Sequence, residues 1–124
     1  MQHIFSDNFK FRTWRECWIA LAESQMELGL QQIRPEMIAE MKANKDNINY
    51  KEAEAKEAEI RHDVMSHVYA FGLQCPSAKG IMHLGATSME VDDNTVLIQQ
   101  REALKIAKEG VVNTINNLSV FAEK

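Results

Sequence analysis

The fold is decided by one stretch without proline, Thr87–Lys124, which reads TSMEVDDNTVLIQQREALKIAKEGVVNTINNLSVFAEK. Its only glycine, Gly110, costs a helix about 1 kcal/mol without ending it. Thr87 followed by Glu90 matches a capping box, which predicts a helix that starts at Ser88. Apolar residues recur at steps of three, four and seven: Leu97, Leu104, Ala107, Val111, Ile115, Leu118 and Ala122.

This predicted last helix is long for a small domain. At 1.5 Å per residue, a helix from Ser88 to Lys124 spans about 55 Å. Its apolar stripe requires long antiparallel partners, as in a helical bundle, and no C-cap signal precedes Lys124. We therefore expect an N-terminal helical domain at 1–86 and, at 87–124, the truncated start of a central helical-bundle domain.

The remainder of the chain also has helical character. Five glycines and two prolines in 124 residues leave few turns, and strand-like alternation is hard to find. The apolar spacing predicts helices from Phe9 to Leu28, from Pro35 to Met41, and continuously from Tyr50 to Leu73. We expect Trp14 and Trp18 to pack in the core. The predicted fold class is all-α.

Composition excludes several classes of partner. The net charge is −4, from 14 Lys+Arg against 18 Asp+Glu, and no long basic tract suggests a nucleic acid or an anionic membrane. No apolar run approaches the roughly 20 residues of a membrane span. Two cysteines, Cys17 and Cys75, do not form a disulfide framework, so we expect a reducing, cytoplasmic location.

The first candidate site is Arg61-His62-Asp63 with His67 nearby. His62 and His67 lie about 140° apart on a helix, which makes a shared metal ion improbable, and we expect no metal site. Asp63 and His67, at i,i+4, share a face, where the carboxylate can orient the imidazole or raise its pKa. From the residues alone, an ordinary polar helix face is the stronger interpretation.

The second candidate is Gly80–Ser88, GIMHLGATS, at the start of the long helix. Unpaired N–H groups, the Thr87 and Ser88 hydroxyls and the positive end of the helix dipole suit an anion, to which His83 and Arg61 can add charge. The alternative is that Thr87 and Ser88 merely cap the helix, and the residues leave the two interpretations even. The acidic residues Glu90, Asp92 and Asp93 favourably oppose the dipole.

Five segments resemble the adenylosuccinate lyase family of the fumarase/aspartase superfamily, in its animal-type branch. They are FSD at 5–7, KFRTWR at 10–15, RHDVMSH at 61–67, HLGATS at 83–88 and DNT at 93–95. Their order and spacing together are more specific than any one of them.

The resemblance implies the N-terminal part of a lyase of purine biosynthesis. Such an enzyme eliminates fumarate from adenylosuccinate to give AMP, and from the succinyl-carboxamide ribotide (SAICAR) to give AICAR. It needs no cofactor and forms a homotetramer around a bundle of long helices, each active site being assembled from three subunits. The substrate-binding residues it implies here are Arg61, His62, Asp63, His83, Thr87 and Ser88.

The resemblance implies that the general acid is a histidine of a T-H segment and the general base a serine on a mobile loop. Neither segment is found among residues 1–124. His62 then supports catalysis at most, and we expect the chain alone to be inactive. Two alternatives are a non-catalytic helical interaction module and another lyase of the superfamily, such as an argininosuccinate lyase. The HLGATS segment argues against the latter.

Overall fold

The computed structural model describes residues 1–123, which form helices joined by turns and loops, with no strand among them. The predicted all-α class is confirmed; Lys124, the last residue of the predicted long helix, lies outside the described residues. After a short 3-10 turn at Gln2–Phe5 come five helices: α1 (Asp7–Glu27), α2 (Pro35–Asn44), α3 (Tyr50–Ile60), α4 (Asp63–Gln74) and α5 (Ser88–Ala122). Within residues 1–123 no helix is both long and apolar enough to cross a membrane.

Local signals set most helix ends. The Ser6 hydroxyl accepts a hydrogen bond from the Phe9 amide at 3.2 Å, so α1 begins two residues before the predicted start. Gly29, at φ 90°, follows the end of α1 in the left-handed conformation that suits glycine. Pro35 opens α2 as predicted, but the helix continues past Met41 to Asn44.

The core forms where α1 packs against the other helices. Trp14 and Trp18, at 0% and 1% exposure, are buried with Met41, Phe71 and Val91. The prediction that the tryptophans serve core packing is confirmed. Burying each such side chain contributes about 1.5–3 kcal/mol, so α1 is the element on which the others assemble.

One charged side chain, Arg15, is buried at 1% exposure and holds the α2–α3 connection. Its guanidinium donates to the carbonyls of Asn44 and Asn47, at 2.7 and 2.9 Å, and to Asn49 Oδ1 at 2.8 Å. Asn49 in turn donates to the carbonyl of Ala70 at 2.7 Å, which ties the connection to α4. Burial lowers the pKa of Arg15 to about 10, so it remains charged at neutral pH.

The prediction of one continuous helix from Tyr50 to Leu73 is wrong. Arg61 adopts φ 55°, and its amide donates to the carbonyl of Glu57 at 2.8 Å, which ends α3. α4 then folds back along α3, and the Lys56 ammonium lies 4.9 Å from the Tyr69 ring centre. Folding back buries Ala53 of α3 at 1% exposure, together with Val64 and Ala70 of α4, both at 0%. Burial of these faces favours the break over continued helix.

We predict that Arg15→Met lowers the free energy of unfolding by about 2–4 kcal/mol, because three partly buried hydrogen bonds to a buried charged donor are lost. The matched control is Arg12→Met on the same helix. Arg12 is exposed and pairs with Asp46 and Glu16, so its loss should cost less than about 1 kcal/mol. Urea denaturation measures both, and equal losses would contradict this role for Arg15.

Candidate functional site

Two sequence motifs far apart in the chain meet in the structure. The Ser88 hydroxyl lies 3.2 Å from His62 Nε2, which joins the start of α5 to the break between α3 and α4. α4 and α5 therefore begin beside one another. We call this region the corner, and define it by the predicted residues Arg61, His62, Asp63, His83, Thr87 and Ser88.

His62 forms the centre of the corner. It is the N-cap of α4, and its Nδ1 accepts a long, 3.4 Å hydrogen bond from the Met65 amide. A ring nitrogen that accepts such a bond carries no proton, so Nε2 is the nitrogen that donates to Ser88. Asp63 Oδ1 accepts from the Val64 amide at 2.7 Å and lies 3.8 Å from His62 Nδ1.

Neither interpretation of His67 holds, as a partner of Asp63 or as part of a polar helix face, because His67 is buried in the aromatic core. Its ring stacks on Phe11 with 3.8 Å between centres and meets the edge of Trp14 at 5.4 Å. Burial lowers the pKa of His67 to about 4, outweighing the opposite effect of Asp63. His67 is therefore neutral at neutral pH and does not belong to the corner.

Thr87 occupies the predicted N-cap position of α5, but the hydrogen bonds of the predicted capping box do not form. α5 begins at Ser88 as predicted, but the Thr87 side chain makes no capping hydrogen bond; the Glu90 amide donates to the Thr87 backbone carbonyl instead. The Glu90 carboxylate accepts from the Asn94 side chain at 3.3 Å rather than turning back to Thr87. The exposed Thr87 hydroxyl thus remains available to a ligand, which favours the anion-binding interpretation over capping.

His83 is held by α1, a connection that sequence analysis missed. Trp18 Nε1 donates to His83 Nδ1 at 3.1 Å, and the Gln25 side-chain amide donates to the carbonyl of Leu84 at 2.8 Å. Burial lowers the pKa of His83 below its usual value, so the expected positive charge from this residue is not favoured. No local sequence signal links Trp18 to His83, because 65 residues separate them.

A second missed connection also joins α1 to the start of α5. The Lys10 ammonium lies 3.8 Å from Asp92 Oδ1 and 4.6 Å from the Trp14 ring centre. Burial, with Asp63 and Asp93 adding to it, raises the pKa of Asp92. Asp92 therefore contacts α1 in addition to the favourable dipole position predicted for it. Among residues 1–123, no group of three His, Cys, Asp or Glu side chains is placed to hold a metal ion.

Both backbone outliers of the described chain fall in the corner. Among residues 1–123, Arg61 and His83 are the only residues other than glycine with positive φ, at 55° and 58°. That conformation costs a residue with a Cβ about 1–2 kcal/mol, and it persists only where the surroundings impose it. At Arg61 the left-handed conformation ends α3, whereas at His83 it belongs to the loop that leads into α5.

The known proteins that match the chain in sequence include adenylosuccinate lyases of several organisms. Adenylosuccinate lyases of Caenorhabditis briggsae and Saccharomyces cerevisiae are 43% and 45% identical to the chain, over 96% and 98% of its length. The lyase of Synechocystis is 31% identical over the whole chain. The chain spans about a quarter of the length of the curated relatives it matches. No family model matches it.

The resemblance drawn from the motifs is confirmed by these relatives. The animal and fungal lyases are 43–46% identical, whereas the bacterial and archaeal ones are 26–31% identical. This difference agrees with the resemblance of the motifs to the animal-type branch of the family.

We predict that Arg61→Gly stabilises the chain relative to Arg61→Ala by about 1 kcal/mol, because only glycine relieves the strain at φ 55°. Both variants remove the same exposed side chain, so their difference isolates the backbone. The measurement is the midpoint of thermal unfolding. An Arg61→Gly variant no more stable than Arg61→Ala would show that the left-handed conformation is absent in solution.

Proposed function

We propose that this chain, which is similar over nearly its whole length to adenylosuccinate lyases, supplies part of the substrate site of a fumarate-releasing carbon–nitrogen lyase. The substrates would be adenylosuccinate and SAICAR, as the resemblance implies. The observation that carries the proposal is the 3.2 Å contact between Ser88 and His62, since it unites two family-like motifs at one point.

The chemistry of the corner suits such a substrate. Adenylosuccinate carries a phosphate and two carboxylates, which require hydrogen-bond donors. The corner offers the N-terminus of α5, the Thr87 and Ser88 hydroxyls and the exposed residue Arg61. Anions are stabilised at helix N-termini, and hydrogen bonds to charged groups are about twice as strong as neutral ones.

His62 and Asp63 would act mainly by positioning. Donation from His62 Nε2 occupies one lone pair of the Ser88 oxygen and leaves the Ser88 proton to point toward a substrate oxygen. Asp63 fixes the first turn of α4 by accepting a hydrogen bond from the Val64 amide. Elimination requires a base for the carbon-bound proton and an acid for the departing nitrogen, and we place both outside this chain.

The long helix fits the proposed assembly. Five apolar residues of its predicted stripe are more than half exposed: Leu97, Leu104, Val111, Ile115 and Leu118. A stripe of this length is an association surface when it is covered by other helices. We propose a domain boundary between residues 86 and 87. On this proposal α5 begins a bundle domain that forms the centre of a cytoplasmic homotetramer.

We predict that a chimera in which this chain replaces the matched quarter of the Saccharomyces cerevisiae lyase cleaves adenylosuccinate, while the chain alone does not. Cleavage is followed by ultraviolet absorbance, and the folding of the chimera by circular dichroism and size-exclusion chromatography. A well-folded chimera without activity would contradict the lyase function and favour a non-catalytic helical module. Activity of the chain alone would contradict our placement of the acid and the base.

Within that chimera, Thr87→Val should raise KM about 10- to 100-fold, because a charge-assisted hydrogen bond worth about 1.5–3 kcal/mol is lost. Its thermal stability should not change, since the hydroxyl caps nothing. Thr114→Val is the control: it removes a hydroxyl from the same helix, where Thr114 bonds only its own helix at Gly110. Loss of stability without a change in KM would instead identify Thr87 as a structural cap.

A further inference from the structure

We propose that Trp18 is a positioning residue for substrate binding: its indole N–H fixes His83 in the form that donates from Nε2 into the corner. The inference rests on the proposed function only for the identity of the ligand. The tautomer itself follows from the contacts of two side chains.

The direction of the hydrogen bond is unambiguous. Trp18 Nε1 and His83 Nδ1 are 3.1 Å apart, and an indole nitrogen is a donor that never accepts. His83 Nδ1 must therefore present its lone pair to Trp18. In a neutral imidazole the proton then resides on Nε2, and a doubly protonated ring would direct an N–H against the indole N–H. Because Trp18 can only donate, its contact with Nδ1 is compatible with one neutral tautomer of His83, the one protonated at Nε2.

Neighbouring contacts hold both Trp18 and the loop of His83 in place, so the hydrogen bond between them is maintained. Trp18 is 1% exposed and stacks on Phe71 of α4 with 6.2 Å between ring centres, so its indole cannot rotate freely. Gln25, two turns along α1 and on the same face, holds the next residue of the loop through the carbonyl of Leu84. Two anchors on one helix thus hold a residue whose φ of 58° is unfavourable by itself.

The consequence for His83 is a defined role. A neutral ring with a proton on Nε2 donates one hydrogen bond to an anionic ligand but adds no positive charge. It also cannot accept a proton at Nε2, so it is not a general base at that atom. Trp18 therefore acts on substrate through His83, at a position buried beneath the corner rather than facing it.

Trp14 provides a matched control on the same helix. It is also a fully buried tryptophan, at 0% exposure, yet its Nε1 finds no acceptor among residues 1–123. Replacing either tryptophan by phenylalanine removes an indole N–H from the core and alters packing by a similar amount. Only Trp18→Phe removes a donor from His83.

The first test needs no substitution. Nitrogen-15 NMR of the labelled 124-residue chain should show His83 with Nδ1 unprotonated and Nε2 protonated, and a scalar coupling across the hydrogen bond from Trp18 Nε1 to His83 Nδ1. His83 protonated at Nδ1, or an indole proton coupled to no nitrogen of His83, would overturn the proposal.

The second test uses the two variants. Trp18→Phe should give a mixture of His83 tautomers, and in the chimera with the yeast lyase it should raise KM for adenylosuccinate about tenfold with kcat nearly unchanged. Trp14→Phe should leave both the His83 tautomer and KM unchanged. Equal effects of the two variants, or a Trp18→Phe chimera with normal KM, would overturn the positioning role. An inactive parent chimera would count against the lyase function alone, since the tautomer is measured independently.

Discussion

The placement of Trp18 between α4 and the loop before α5 is the constraint on which the corner depends. Its ring stacks on Phe71, and its indole N–H reaches His83 at 3.1 Å. One buried side chain of α1 therefore sets the separation of the two segments that carry the motifs. Burial of the apolar face of α1 stabilises the packing of the helices, and the hydrogen bond from Trp18 fixes the orientation of the His83 ring.

Strain at the corner is balanced by contacts outside it. Arg61 and His83 both adopt left-handed backbone conformations, which they would rarely adopt in isolation. The hydrogen bond from Arg61 to Glu57 and the anchors of α1 on the loop offset that cost. An arrangement of this kind restricts the donors of the corner before a ligand arrives, which reduces the ordering cost of binding.

Local sequence signals predicted what depends on local chemistry. Pro35 and the apolar stripes indicated α1, α2 and α5, and Trp14 and Trp18 were correctly expected in the core. The break at Arg61 could not be predicted, because no glycine or proline marks it in a run of good helix formers. It arises from packing α4 back on α3, which is a long-range effect.

The candidate site shows the same division. The motifs suggested its residues, and the family resemblance of those motifs is supported by the adenylosuccinate lyases that the chain matches. What each residue contacts was not predictable: His67 is buried against Phe11, the Thr87 side chain makes no capping bond, and Glu90 accepts from Asn94. Such contacts depend on competition among partners in space, which the spacing of residues in a sequence does not describe.

The central claim is that the two motif segments form one binding corner. The most direct measurement is an NMR titration of the nitrogen-15-labelled chain with AMP, observing the backbone amides of 61–67 and 83–90. The account predicts that amides of both segments shift along a single saturation curve with one dissociation constant. Shifts confined to one segment, or two different dissociation constants, would contradict it.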